Sequence, residues 1–358
     1  MVRRRWLDDR AYADLVALCQ FLPGPASSQV GMAIGLSKAG ALGMLAAWVA
    51  FTAPSALALI ALGYGVTSYR EVIPDGVLHG LKVVAVAVVA QAVWGMARSL
   101  CPDRPRMTLA VLAAIAALMA PTPLTQVAII AAGGLAGLAV LRSGEAQQHG
   151  RLAVTVGRGW AIAALVLFAV LLAGLPLAAA AGSSHALDLV DSFYRTGALV
   201  FGGGHVVLPL LQAEVVPPGW VGADAFLAGY GAAQAVPGPL FTFAAYLGTV
   251  GQFPPNVWAG GLICLLAVFA PSFLLVAGAL PFWESLRHLG GVRRALMGVN
   301  AAVVGLLLAA LYDPVWTSAI LRPADMALAL AALAALAVWK LPPWLVVAAT
   351  AAGGWALA

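Results

Sequence analysis

Two stretches of this sequence set a glutamine ahead of Pro-Gly-Pro with two residues between: Gln20 before Pro23, Gly24 and Pro25, and Gln234 before Pro237, Gly238 and Pro239. Proline lacks a backbone N–H and disfavours helical geometry in the residue before it. Leu22 and Gly24 are therefore pushed out of the α region, while Pro25 suits the first turn of a new helix. A helix restarting there leaves the N–H groups of Ala26, Ser27 and Ser28 unpaired, and its dipole sets about half a positive charge beside them. The second copy offers Leu240, Phe241 and Thr242. Each break is a candidate anion site made without a charged side chain, with Gln20, Ser27, Ser28, Gln234 and Thr242 as its polar side chains.

A third stretch, Gly202, Gly203, Gly204 and His205, lets the backbone approach a ligand closely. His205 can donate to an anion or change protonation near neutral pH. The plain reading of the same residues is a proline kink in a packed helix and close packing at a glycine run. Ionisable groups beside apolar runs are Lys82, Arg195, His205 and Glu214, with Asn300 as a neutral polar neighbour. Such groups are functional candidates by default, although Lys82, Arg195 and Glu214 are near enough to span ends to reach water. His205 and Glu214 are the candidate proton-coupling groups. Cys19, Cys101 and Cys264 stand in no CxxC or Cys/His spacing, so they read as packing residues. No metal site or cofactor is expected.

The elements that must hold these residues are membrane helices. Of 358 residues, 63% are apolar and 9% charged, with a mean hydropathy of +0.96; a soluble domain carries roughly a quarter charged residues. Apolar runs such as Ala39 to Gly63, Gly80 to Trp94 and Trp160 to Ala181 are near the twenty or so residues a helix needs to cross about 30 Å of hydrocarbon. A β-barrel would show short alternating segments instead. The fold class is all-α, a polytopic helical membrane protein. The net charge of +5 is spread over short loops, which fits orientation in a bilayer and not nucleic-acid binding. The arginines after Met1 lead into Trp6-Leu-Asp-Asp and no apolar core, so no cleavable signal peptide is expected.

The chain is also self-similar. Trp6 and Trp220, Tyr12 and Phe226, Gln20 and Gln234, and Pro23 and Pro237 are each 214 positions apart. Phe51 to Ser55 (FTAPS) answers Val268 to Ser272 (VFAPS), and AAGG recurs at Ala131 and Ala351. Two repeats follow, residues 1–144 and 186–358, joined by residues 145–185, a basic loop and one linking span. Such pairs mark secondary transporters. If each Pro-Gly-Pro segment and the GGGH segment dips into the membrane and returns, Arg70, Lys82, Arg195 and Arg322 lie on one side and the other fifteen of the 19 basic residues on the side of the N-terminus. That predicts a cytoplasmic N-terminus and two inverted repeats with broken or re-entrant Pro-Gly-Pro segments. The GGGH segment, Leu189 to Val216, has no counterpart before Trp6. Either the first repeat is degenerate there, or the reading frame begins upstream of Met1.

These motifs together resemble the chromate ion transporter family. The residues from Trp6 through the first Pro-Gly-Pro to FTAPS resemble its first domain, and Phe201 to Gly248, spanning GGGH and the second Pro-Gly-Pro, resemble its second. The resemblance implies a two-domain bacterial inner-membrane protein that exports chromate, driven by the proton-motive force, and confers chromate resistance. It carries the substrate role to Pro23, Gly24 and Pro25, to Pro237, Gly238 and Pro239, and to Gly202 to His205. The family's first domain also opens with a Gly-Gly motif followed by a histidine, which this chain lacks. The implied partners are chromate, protons and the lipid bilayer, with a homodimer left open. Chromate is a tetrahedral dianion that helix N-termini and glycine N–H groups suit, and sulfate has nearly the same shape. A sulfate or general oxyanion carrier therefore stays open, as does an inactive or partner-dependent subunit. No P-loop, HExxH or GxSxG is present, so neither an ATPase nor a membrane-embedded enzyme is expected.

Overall fold

The computed structural model describes residues 9–69, 71–142, 157–182, 184–283, 285 and 289–358. Trp6, Arg70 and Arg151 with most of the basic loop lie outside them. The elements among the described residues are helices, with no strand among them, in line with the composition.

Helix α1 (Asp9–Phe21) stops where Pro23 approaches, and α2 (Ala26–Ser68) starts on Pro25 as its N-cap, φ −76° and ψ 93°. Although α2 runs 43 residues, Ala39 (φ −142°, ψ 23°) and Gly40 (φ 62°, ψ −151°) break it. The chain doubles back there, because the Gly35 and Gly43 backbones meet, whereas eight residues of straight helix would hold them about 12 Å apart. After α2 come α3 (Asp75–Leu100), α4 (Arg104–Met119), α5 (Pro123–Val140) and α6 (Arg158–Ala181). The GGGH region is flanked by α7 (His185–Leu199) and α8 (Val207–Val215), and the second Pro-Gly-Pro by α9 (Ala223–Ala233) and α10 (Phe243–Thr249). The chain ends with α11 (Val257–Ala279), α12 (Gly290–Ala310), α13 (Pro323–Ala337) and α14 (Pro343–Leu357).

Six of the described helices are long and apolar enough to cross a bilayer: α2, α3, α5, α6, α11 and α12 with the turns that extend it to Ala319. The protein is a multi-pass membrane protein. At 13 residues α1 is about 20 Å long, short of about 30 Å of hydrocarbon, and α7 to α10 are 15, 9, 11 and 7 residues. The segments around the motifs are half-helices. Broken backbone of this kind survives at membrane depth only where protein or a cavity surrounds it. Helix α6, by contrast, turns most of its surface outward; Ala161 is its buried residue.

The closing helices of each half clasp the central helix of the other. Helices α4 and α5 pack against α12, and α13 and α14 pack against α3. The contacts are backbone to backbone at small residues: Gly133 and Gly137 against Gly298, and Gly76 and Gly80 against Gly354. In lipid, such small-residue stripes let helix backbones approach and gain dispersion energy. Cys19, Cys101 and Cys264 are buried free thiols, in keeping with the packing role expected of them.

Candidate functional site

Gly24 has φ +118° and Gly238 φ +149°, a region that side-chain-bearing residues rarely occupy. The proline after each glycine bars the α region there, and glycine tolerates the positive φ that the turn adopts. At Gly24 the volume a Cβ would fill is taken by the Ser272 hydroxyl and by Gln29 Nε2, at 2.6 Å for the latter; at Gly238 it is taken by Ser55, whose Cβ lies 2.7 Å away. Ser55 and Ser272 are the serines of the two APS repeats. Each Pro-Gly-Pro turn is seated on the APS segment of the other half.

The first break is tied down by named bonds. The Gly24 N–H donates to the Val200 carbonyl at 2.7 Å, joining it to the end of α7 and thus to the GGGH region. Gln29 Nε2 donates to the Pro23 carbonyl at 2.6 Å and to Ser272 Oγ at 3.2 Å. At the second break the helix restarts as a 3-10 turn, Leu240 to Thr242. There the Thr242 N–H donates to the Pro239 carbonyl at 3.0 Å and its hydroxyl to the same carbonyl at 2.8 Å. The expectation of a free Thr242 N–H is thus corrected: the tighter turn returns it to Pro239, and only the first copy restarts as a regular α-helix.

The third break meets the second. A Cβ at Gly204 would sit 3.6 Å from Leu240 Cβ, and His205 Nδ1 lies 2.8 Å from the Tyr230 hydroxyl on α9. One turn further along α9, Gln234 Nε2 donates to the Tyr230 carbonyl at 3.4 Å. Gly202 and Gly203 have φ +76° and +151°. Through Val200, Gly204 and Tyr230, the three interruptions converge on one region.

Buried polar atoms without a partner gather on the short and long arms of α2: Ser28 Oγ, Gln29 Oε1, Trp48 Nε1 and Thr52 Oγ1. Ser28, Gln29 and Thr52 are at most 2% exposed. Three of these atoms can donate to an oxyanion, and Ser28 is in the first turn after Pro25. Gln20 and Ser27 are exposed, while Pro25, Ser28, Pro239 and Thr242 are buried and Gln234 is half-buried. Gln29, Ser55, Ser272 and Tyr230 escaped the motif reading. Gln29 had a signal, as a glutamine one turn past Pro25 in an apolar run, and the serines stood in the repeated APS.

The charged candidates are paired. Arg195 donates through Nε and Nη2 to Glu214 at 3.2 and 2.8 Å, and its Nη1 is 3.0 Å from Asp191 Oδ2. Lys82 Nζ holds Asp224 at 2.8 Å. The Lys82 pair lines a cavity of about 770 Å³ between the starts of α3, α9 and α13, together with His79, Arg322 and Asp325. His79 Nε2 lies 3.0 Å from Asp325 Oδ1. The cavity runs beside Ala225 and Ala228 of α9, the helix that leads to Tyr230. Among the described residues no group of three His, Cys, Asp or Glu is arranged to hold a metal.

The fold and this site define a polytopic α-helical membrane protein whose interrupted helices meet one another and which buries unpartnered hydrogen-bond donors along α2. The chromate transporter family model matches residues 1–138 and 187–355, and the chain belongs to that family. It is 29% identical to the chromate transport protein of Pseudomonas aeruginosa, over 98% of this chain and 84% of that one. It is 25% identical to the probable chromate transport protein of Synechococcus elongatus, over 84% and 74% of the two chains. Against the chromate transport protein of Cupriavidus metallidurans the identity is 24%, over 84% and 72%. No solved structure matches the chain.

Proposed function

We propose that this protein is a secondary transporter that exports chromate across the bacterial inner membrane, driven by the proton-motive force, and so gives chromate resistance. Its two halves, residues 1–144 and 186–358, act as inverted repeats that rock about the broken segments, with the N-terminus cytoplasmic. The observation that carries the reading is the convergence of the three interruptions, with the buried Ser28 hydroxyl in the first turn after Pro25 unpartnered and the Trp48 and Thr52 donors further along α2 unpartnered as well. A buried donor left unpaired costs about 1–3 kcal/mol, which an oxyanion with four acceptor oxygens would relieve. Membership in the family and the names of its relatives point to chromate as that oxyanion. An inside-negative potential of 100 mV favours exit of a dianion by about 4.6 kcal/mol, at roughly 2.3 kcal/mol per charge.

The same donors suit sulfate, so selectivity is the first thing to measure. Inside-out vesicles carrying the chain are energised and given chromate, with and without excess sulfate. Energised uptake that resists sulfate is the expected result. Uptake abolished by sulfate assigns a general oxyanion carrier, and no uptake removes the exporter reading.

A further inference from the structure

Two carboxylates share one guanidinium between α7 and α8. Glu214 receives a two-pronged contact from Arg195 Nε and Nη2, the strongest geometry open to a carboxylate and an arginine. Asp191 receives one contact, Nη1 to Oδ2 at 3.0 Å, and its other oxygen, Oδ1, is buried without a partner. Asp191 is 6% exposed. With both carboxylates ionised the cluster carries one net negative charge, and Asp191, its most buried member, is the carboxylate for which that charge is most costly. One added proton makes it neutral.

The surroundings leave few other takers. On α7 itself, Asp188 lies one turn earlier beside His185, at 3.9 Å, and Tyr194 donates to the Phe168 carbonyl. Of the helices packed against α7, α8 contributes Glu214, α6 contributes Arg158 at its start, and α11 contributes Cys264. Glu214 has both oxygens engaged. The open lone pairs are on Asp191 Oδ1, and Asp191 lies nine positions before Val200, the residue capping α7 whose carbonyl holds Gly24.

We propose that Asp191 is the proton carrier of the transport cycle. Its carboxylate takes one proton on Oδ1 from the side of higher proton activity and releases that proton to the opposite side, while Glu214 stays ionised and holds Arg195. Because α7 ends on the carbonyl bonded to Gly24, the charge of the cluster is linked to the first Pro-Gly-Pro turn. The assignment rests on the proton-driven reading above, and it places the proton on Asp191 rather than on His205 or Glu214.

The test uses the full chain in proteoliposomes with an entrapped pH dye. In wild type a pH gradient drives chromate accumulation, and a chromate gradient moves protons. In Asp191→Asn, chromate exchange at equal concentrations persists, but accumulation no longer follows the pH gradient and the dye stays silent; Asp191→Glu restores both. Asp191→Asn that still accumulates chromate with the pH gradient overturns the assignment alone. Wild type that exchanges chromate yet ignores the gradient overturns the proton-driven reading and the assignment with it. Infrared titration covers an Asp191→Asn chain that does not fold. Wild type should show a protonated-carboxyl band over the pH range in which transport changes. In Glu214→Gln the band should persist and move to lower pH, since Asp191 then has Arg195 to itself. A band that is unmoved, or gone at every pH, overturns the assignment.

Discussion

Gly24 and Ser272 belong to different halves of the chain, yet the Ser272 hydroxyl occupies the space where a Gly24 side chain would begin, and Gly238 stands in the same relation to Ser55. The chain breaks in each half are therefore shaped by the other half. A movement of one half against the other must pass through these two contacts, which is why they make the most direct mechanical test of the site.

Gly24→Ala meets two costs. A residue with a side chain is strained at φ +118°, at about 1–3 kcal/mol, and the new methyl overlaps Ser272 and Gln29, at about 1–3 kcal/mol more. The thermal unfolding midpoint in detergent should fall accordingly. Ser272→Ala in the same chain removes the hydroxyl but not the backbone strain, so it should return part of the loss, a coupling of about 0.5–3 kcal/mol. Strictly additive effects of the two substitutions would argue against the contact.

The two glutamines near the first break should behave differently. Gln29 is fully buried and bridges Pro23 and Ser272, so Gln29→Leu strips a carbonyl and a hydroxyl of their partner, at about 1–3 kcal/mol. Gln20 is exposed, and Gln20→Ala should leave stability within about 0.5 kcal/mol. Chromate uptake at equal expression is expected to collapse for Gln29→Leu and to stay near wild type for Gln20→Ala. The reverse ranking would return the site to the motif's first residue.

The loop from α3 to α4 offers a test outside the spans. Burial pushes the Cys101 thiol up to about 11, so at neutral pH the native protein should resist maleimide at this position and label only on unfolding. Two residues on, Asp103 caps α4 by accepting the Arg106 N–H at 2.9 Å and Arg106 Nε at 2.6 Å. The Arg106 side-chain bond, with the backbone bond behind it, holds the Asp103 carboxyl below the usual carboxylate range. A lowered value means the stabilisation is present above the unfolded-state value, about 3.9, and is lost as pH falls through the folded one. Asp103→Ala should cost about 1 kcal/mol near neutral pH and progressively less on acidification, read from unfolding midpoints at several pH values.

Much of the fold could be read from composition and period, because in lipid the backbone has to satisfy itself within helices. The restart after Pro25 was legible for a local reason, since proline dictates it without help from the rest of the chain. The partners of the breaks were not. That Gly24 rests on Ser272 and Gly238 on Ser55 depends on how the halves cross, which no local rule states. The pairing of Lys82 with Asp224, 142 positions away, is of the same kind. Asp191 had a partial signal, lying one helical turn before Arg195, but its unpartnered oxygen is a property of packing. Thr242 shows the converse, where a plausible local rule met a tighter turn.

His205 and Tyr230 give the last prediction. Their 2.8 Å contact is the side-chain link between the GGGH turn and α9, and Tyr230 is fully buried. Tyr230→Phe keeps the ring, which packs edge-on against Phe243 at 5.6 Å, and removes only the hydroxyl. If the pair positions His205 for the oxyanion, Tyr230→Phe should raise the chromate concentration for half-maximal uptake with little loss of stability. A buried hydrogen bond worth about 1–1.5 kcal/mol corresponds to roughly a tenfold rise. His205→Ala should weaken uptake at least as much, and adding Tyr230→Phe to it should change little, because the bond is already gone. Independent, multiplying effects on the half-maximal concentration would mean that each residue meets the substrate separately, and His205 would then need no partner to do its work.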